Sequence, residues 1–298
     1  MDNSIIIRKM NKYYGRKQAL YDIDLTIEKG MFGLLGRNGA GKTTLMKTLA
    51  AIHKKKNGKI TVCGVPIEKE REIRAMTGYL PQDFSMYPNM RTDEALDYLG
   101  ALSGIPKDVR KKRVDSLLRK VNLQEHRRKK VKQLSGGMKR RLGIAQALIH
   151  DPKVLIVDEP TAGLDPEERI RFRNLLCEVA EDRIVILSTH IVADIEASCE
   201  QVAIMDSGRI LWHGTVSQLL ANARGHIYCA NVEKRFIDQI KREYIVTGIL
   251  TQNEYTTVRL VSEAEPDLPN TVLTDPDLED AYMYCLHSCG CELKGGEE

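Results

Sequence analysis

The chain has 298 residues, 42% hydrophobic and 29% charged, an ordinary composition for a chain that buries a core, and its length sets a prior of about two domains. The net charge of +4 hides an asymmetry: from Arg224 onward there are 7 Lys/Arg against 14 Asp/Glu, and before it 38 against 27. A basic body with an acidic tail suits nucleic acid, anionic lipid or bound polyphosphate, so charge alone does not choose. Seven cysteines, an odd number at 63, 177, 199, 229, 285, 289 and 291, argue against a secreted disulfide framework and for reduced cytosolic thiols.

In chain order, "MDNSIIIRKM" carries only a three-residue apolar run and an early acid, so no signal peptide is expected. Residues 4–10 and 19–28 alternate as strands do. "MFGLLG" (31–36) is a short apolar run entering a Gly-rich turn, and "KTTLMKTLAAIH" after it has a helical pattern. Further short apolar runs follow at 59–64, 76–82, 153–160, 183–190 and 201–215, the last holding the turn signal Ser207-Gly208. Such β-branched runs between turn residues predict buried strands of a mainly parallel sheet. Residues 88–150 instead have apolar positions at helical spacing among many charges, which predicts an inserted helical subdomain. The longest apolar stretch, Ile184–Ile195, is broken by Ser188, His190 and Asp194, far short of the about 20 residues a membrane span needs. After about 222 acidity rises; strands at 226–232 and 255–263 with a helix at 233–244 predict a small accessory unit, 223–298, behind a main unit of 1–222.

The chemistry begins at Gly36-Arg37-Asn38-Gly39-Ala40-Gly41-Lys42-Thr43, followed by Thr44, which matches G-x-x-x-x-G-K-[ST] between a strand and a helix. The glycines let successive N–H groups point inward as an anion nest, and the helix N-terminus adds its positive end. Lys42 would reach β- and γ-phosphates, and Thr43 would ligate Mg²⁺. "VLIVDEP" (154–160) delivers Asp158 at a strand C-terminus, where α/β ligands sit, as a Mg²⁺ holder usually acting through water. Glu159 follows as the general base for an attacking water. Taken alone, an Asp-Glu pair after a strand is more often a cap or turn. His190 ends the next strand and could donate to a γ-phosphate. Gln82 ends "GYLPQ" and could ligate Mg²⁺ and orient water.

Together these residues resemble the ABC ATPase family, whose signature loop is of LSGGQ type and here reads Leu134-Ser135-Gly136-Gly137-Met138. The resemblance covers about residues 4–215. It aligns Tyr14 with the aromatic that stacks on adenine, 36–44 with the phosphate loop, and Gln82 with the Q-loop. It further aligns Asp158–Glu159 with the second nucleotide motif, "GLD" ending in Asp165 with the D-loop, and His190 with the switch histidine. It implies a P-loop NTPase of ABC type: a mainly parallel α/β sheet core, an N-terminal antiparallel β subdomain, the inserted helical subdomain and a small C-terminal α+β accessory domain. It also implies ATP and Mg²⁺, and two copies, expected to be identical, packed head to tail so that Ser135 and Gly137 of one cover ATP held by the other. Met138 stands where Gln is commonest, and Arg37 where Pro or Ser is frequent. "LSGGMKRRL", the stretch 78–99 and the ending "TDPDLEDAYMY" (274–284) look most like the branch serving drug, antibiotic and polysaccharide exporters. The implied partner is a separate multi-span permease, met through Phe84–Tyr98, at the cytoplasmic face of the membrane.

Other signals are weaker. In an extended strand Cys285, His287, Cys289 and Cys291 would line one face over about 20 Å, too spread for one zinc unless Gly290 bends, so a frayed tail is expected there ahead of a metal or redox role. The basic runs 53–56, 110–113 and 127–130 lack interleaved aromatics, so no nucleic-acid partner is expected. The arginines after the signature are expected on a solvated helix face, with that helix beginning near Met138. An ABC ATPase acting on DNA or ribosomes is disfavoured, because the 93 residues from Lys42 to Ser135 hold no sustained heptads and the chain has one cassette. A regulatory ATPase leaves no distinguishing mark.

Overall fold

The computed structural model describes residues 3–252 and 255–291; residues 292–298, the last part of the expected accessory unit, lie outside the described residues. The chain opens with a hairpin of β1 (Ile5–Tyr14) and β2 (Lys17–Ile27), then β3 (Gly30–Leu35) runs into α1 (Lys42–Leu49). Next, β4 (Asn57–Val62) and β5 (Val65–Pro66) return beside the hairpin in an antiparallel sheet ordered β2-β1-β4-β5. After α2 (Glu70–Met76) and β6 (Thr77–Leu80) come α3 (Thr92–Leu102), α4 (Lys107–Lys120) and α5 (Gly136–Leu148), with only single 3₁₀ turns and one isolated bridge between them. The chain then alternates β7 (Val154–Asp158), α6 (Pro166–Ala180), β8 (Ile184–Thr189) and α7 (Val192–Glu196). It closes a hairpin of β9 (Gln201–Asp206) and β10 (Arg209–Thr215) before α8 (Val216–Ala223).

The six-stranded sheet is ordered β10-β9-β3-β8-β7-β6 and is parallel except for β10. Side chains alternate across a strand. Val154 and Ile156 therefore join the core under the antiparallel sheet and α1, while Leu155 and Val157 join the core under α5 and α6. A strand covered on both faces needs an unbroken apolar run, which is why 154–157 and 184–187 read as they do.

Beyond α8 lie β11 (Ile227–Glu233), α9 (Ile237–Glu243), β12 (Ile245–Gln252), β13 (Tyr255–Val261), β14 (Val272–Leu273) and α10 (Leu278–Ser288). Strand β12 was not expected. Its sequence, "IVTGILTQ", alternates poorly around Gly248, and its partner β13 supplies the order that its own pattern lacks. The sheet β12-β13-β11-β14 keeps a small core of its own around Tyr228, Ile240, Val258 and Leu260.

The expectation of an extended or frayed 285–291 is corrected. Asp277 caps α10 and accepts from Asp280 N–H at 2.9 Å, while Leu278, Ala281, Tyr282, Cys285 and Leu286 recur at helical spacing. Helical burial outweighs the period-two spacing of the cysteines. That stripe packs into the larger core with Leu219 and Ala223 of α8. Asp280 is fully buried and ties α10 to the third sheet, accepting from Thr247 Oγ1 at 2.6 Å and Arg259 Nε at 2.7 Å. No helix among the described residues is long and apolar enough to cross a membrane.

Removing Asp280 strands the Arg259 charge and the Thr247 hydroxyl. Asp280→Ala is therefore expected to lower stability by about 3 kcal/mol, measured as a fall in the urea midpoint.

Candidate functional site

Four parallel strand ends meet at one edge: Leu35 leads to Gly36, Leu80 to Gln82, Asp158 to Glu159 and Thr189 to His190. The phosphate loop must pass close to β9, and only a glycine permits it. A Cβ on Gly36 would lie 2.2 Å from the Met205 carbonyl oxygen. Gly41, with φ +107°, starts α1 with no side-chain cap, so the first-turn N–H groups face the cavity. That cavity, of about 320 Å³, is lined by Arg37–Thr44, Gln82 and Glu159.

Inside it Lys42 is buried, and its Nζ donates to the carbonyls of Gly36 at 2.5 Å and Arg37 at 3.1 Å. The same nitrogen stands 3.1 Å from Glu159 Oε1. This is an ion-pair contact and not a directed hydrogen bond, for Oε1 is buried without a hydrogen-bond donor. Glu159 Oε2 lies 2.7 Å from His190 Nδ1. The Glu159 backbone is left-handed at φ +48°, uncommon for a residue with a side chain, and its N–H donates to Ser188 O at 3.0 Å. This turn aims the carboxylate into the cavity, away from the path of β7.

Asp158 sits one layer deeper, fully buried. Its Oδ1 accepts from Ser188 Oγ at 2.6 Å and its Oδ2 from Tyr79 OH at 3.4 Å. Burial first, then the Asp158 charge and hydrogen bond, push the Tyr79 phenol above its ordinary value, so it stays a donor. Ser188 and Tyr79 were missed by the sequence reading. Ser188 pairs in register with Asp158, and the one signal for it was a polar residue in an otherwise apolar run.

The hard oxygens available for Mg²⁺ are Thr43 and Gln82 in the cavity, with Asp158 behind them. Among the described residues no cluster of three or more His, Cys, Asp or Glu could hold a metal. The residues present nonetheless fit Mg²⁺, which commonly takes one or two protein oxygens, several waters and substrate phosphates and needs no all-protein cage.

The other expected residues do not line this cavity. Tyr14 is 46% exposed at the end of β1, edge-on to His53 at 5.7 Å, with Lys12 Nζ 4.9 Å from its ring centre. Asp165 caps α6, accepting from Glu168 N–H at 2.8 Å. Ser135 caps α5, accepting from Met138 N–H at 3.2 Å. The signature helix thus begins at Gly136, and not near Met138, because Ser135 caps it and both glycines form its first turn. Gly137 abuts α6: a Cβ there would lie 2.3 Å from Glu168 Oε2.

The arginines that follow are not a solvated face. Arg140 donates to the carbonyls of Pro81 and Gln82, tying the signature helix to the Q-loop. Arg141 is buried, donates to Val121 O at 3.1 Å and pairs with Glu168 at 3.3 Å. Consecutive helix positions point in different directions, so a run of like charges says nothing about which one turns inward.

Comparison with known proteins adds a second line. Residues 20–162 match the family model described as ABC transporter. An uncharacterized ABC transporter ATP-binding protein of Bacillus subtilis (strain 168), YxlF, is 35% identical over 303 residues, spanning 95% of this chain and 99% of the relative. Nod factor export ATP-binding protein I of Cupriavidus pinatubonensis (strain JMP 134 / LMG 1197) is 37% identical over 222 residues, 74% of this chain and 68% of its own length. Among solved structures, cbiO1 from Clostridium perfringens, part of the ABC transporter complex cbiONQ, superposes with a TM-score of 0.68 at 28% identity, covering 81% of this chain and 96% of that one.

Ser188→Ala leaves a fully buried carboxylate oxygen without its donor. A loss of about 1–3 kcal/mol, read as a lower thermal midpoint, is expected together with slower ATP turnover.

Proposed function

The chain belongs to the ABC transporter ATP-binding proteins, and from that premise we propose that two copies close around two ATP to drive a separate multi-span permease in the export direction. The chain is an ATPase, and the division of its site carries the rest of the reading. Lys42, Gln82 and Glu159 share one cavity, whereas Ser135, Gly136, Gly137 and Asp165 stand at two helix N-termini that do not line it. A second copy packed head to tail about a two-fold axis would lay its Ser135 and Gly137 over the γ-phosphate, completing the site. The main unit of 1–222 would supply this machinery, with 223–298 as an accessory unit whose α10 docks back onto it.

In this reading the N–H groups of Gly39–Thr44 cradle the phosphates, and Lys42 exchanges the Glu159 carboxylate for phosphate oxygens while the Gly36 and Arg37 carbonyls keep its amine aimed. That exchange frees Glu159 Oε1 to polarise an attacking water, with His190 holding Oε2 and donating toward the γ-phosphate as the cavity fills. Thr43 and Gln82 would hold Mg²⁺, with Asp158 positioned by Ser188 and Tyr79 behind it. When bound, Mg²⁺ supplies charge neutralisation on the phosphate oxygens. Tyr14 offers an open aromatic face to adenine. Arg140 makes the Q-loop and the signature helix move together, so that closure over nucleotide reaches the permease contact.

For that contact, Phe84–Tyr98 carries Tyr87 and Tyr98, both exposed and edge-to-face at 5.4 Å. They stand beside a groove of about 450 Å³ lined by Met90, Asp93, Asp97 and Tyr98. A permease helix seated there would hold the chain at the cytoplasmic face of the membrane. The Nod factor export relative supports the export direction, and cbiO1, part of a transporter complex, supports assembly with other subunits.

Glu159→Gln is expected to slow phosphate release by about a hundredfold or more while an ATP-bound dimer accumulates in gel filtration; turnover at the parent rate would remove Glu159 from the base role. Ser135→Arg should still bind ATP but no longer dimerise with it, and a dimer in that variant would refute a site completed in trans. For the permease, the tagged chain recovered from gently solubilised membranes should bring a multi-span protein in near-equal amount, whereas recovery in the soluble fraction alone would count against transport.

A further inference from the structure

The segment Cys285–Cys291 takes no part in the chemistry above, yet it ends beside the phosphate loop. α10 closes in a Schellman motif: Gly290 is left-handed (φ +69°), its N–H donates to His287 O at 2.9 Å, and the Cys291 N–H reaches Leu286 O at 3.0 Å. This turn gives three thiols at one helix end different surroundings. Cys285 faces the core, and burial first, then Cys289, push its thiol up to about 12, so it remains protonated and inert. Cys289 is exposed and Cys291 half-buried.

With Gly290, Cys289 and Cys291 form one wall of a cavity of about 610 Å³, and Arg37–Ala40 form part of the wall it shares with the phosphate loop. Those four residues also line the nucleotide cavity, so one loop separates the two spaces. Arg37 pairs there with Asp206 at 3.6 Å. Burial raises the Cys291 thiol, Asp206 and Cys289 add to the shift, and Arg37 opposes it. Cys289 and Cys291 are two residues apart, so their Cα atoms are separated by at most about 7 Å, and a bend at Gly290 brings them within disulfide range.

We propose that Cys289 and Cys291 form a thiol–disulfide switch on the outer face of the phosphate loop, oxidised by a small disulfide of the glutathione type, and that the oxidised state slows ATP turnover. The Cys289 thiolate attacks one sulfur of the oxidant, forming a mixed disulfide and expelling one small thiol. The Cys291 thiolate then attacks Cys289 Sγ and expels the second. Two protein thiols are oxidised, one small disulfide is reduced, and the two protons leave on the small thiols. A ring closed across Gly290 competes with the two Schellman hydrogen bonds, so the wall facing Arg37–Ala40 shifts and the loop's phosphate-binding geometry shifts with it.

The switch rests on the ATPase activity, so the full chain is first assayed reduced; absence of turnover there would remove the premise and the switch together. It is then incubated with oxidised glutathione, and turnover is followed beside intact mass and peptide mapping. The expected result is loss of two hydrogens with no retained glutathione, a Cys289–Cys291 link, and turnover slowed several-fold and restored by dithiothreitol. Cys289→Ser, a change at an exposed position, and Cys291→Ser should each keep the reduced rate after oxidant. With turnover present in the reduced chain, the switch alone is overturned by slowing that persists in Cys289→Ser. A stable glutathione adduct without the link, or the link with unchanged turnover, overturns it equally.

Discussion

The parallel sheet is buried on both faces, and the site follows from that constraint. Strands β3, β7 and β8 can be covered above and below only if helices return over the sheet after each of them, which brings every strand C-terminus to the same edge. Gly36, Gln82, Glu159 and His190 come from stretches up to about 150 residues apart, yet each follows directly on a strand of this sheet or within two residues of one. Asp158 and Ser188 are brought together by the register itself, as facing positions on adjacent strands. A slip of one residue would turn the Asp158 carboxylate out of its hydrogen bonds and into an apolar layer.

At that edge the charges are arranged around one carboxylate. Glu159 meets Lys42 through one oxygen and His190 through the other, and a left-handed backbone holds it there. Lys42 also donates to two carbonyls of its own loop, which keeps the amine from following Glu159 when a more highly charged ligand arrives. In the proposed cycle a nucleotide acts by exchange, taking Lys42 from a protein carboxylate onto phosphate. Arg140 extends the network, since the Q-loop carbonyls it holds belong to the same edge and Ser135 caps the N-terminus of its helix.

The C-terminal region is divided between two cores. Its sheet keeps a small cluster of its own, but α10 buries its apolar stripe in the larger core, and the Asp280 network joins the two. A helix anchored on both sides carries its final turn to one place on the molecule, and that place is the outer wall of the phosphate loop.

Much of this was legible in the sequence, for a local physical reason. The phosphate loop, the strand ending in Asp158 before Glu159 and the Ser207-Gly208 hairpin each carry within a few residues the pattern that determines their conformation. What remained hidden depends on partners distant along the chain. Nothing in "MKRR" shows that Arg140 reaches Gln82 or that Arg141 turns inward to Glu168, because adjacent charges on a helix look alike until packing selects a face. Strand β12 had too weak an alternation to declare itself without β13 beside it. The cysteines at 285, 289 and 291 read as alternating until a capped helix with its own apolar stripe took them over. By itself, then, the sequence determined the chemistry-bearing motifs, whose geometry is local. Only the tertiary structure decided which arginines are buried, that Tyr14 lies apart from the phosphate cavity, and that Cys289–Cys291 share a cavity wall with the loop at 37–40. Each of these is a contact between residues with no shared pattern, selected by burial and pairing across the whole fold.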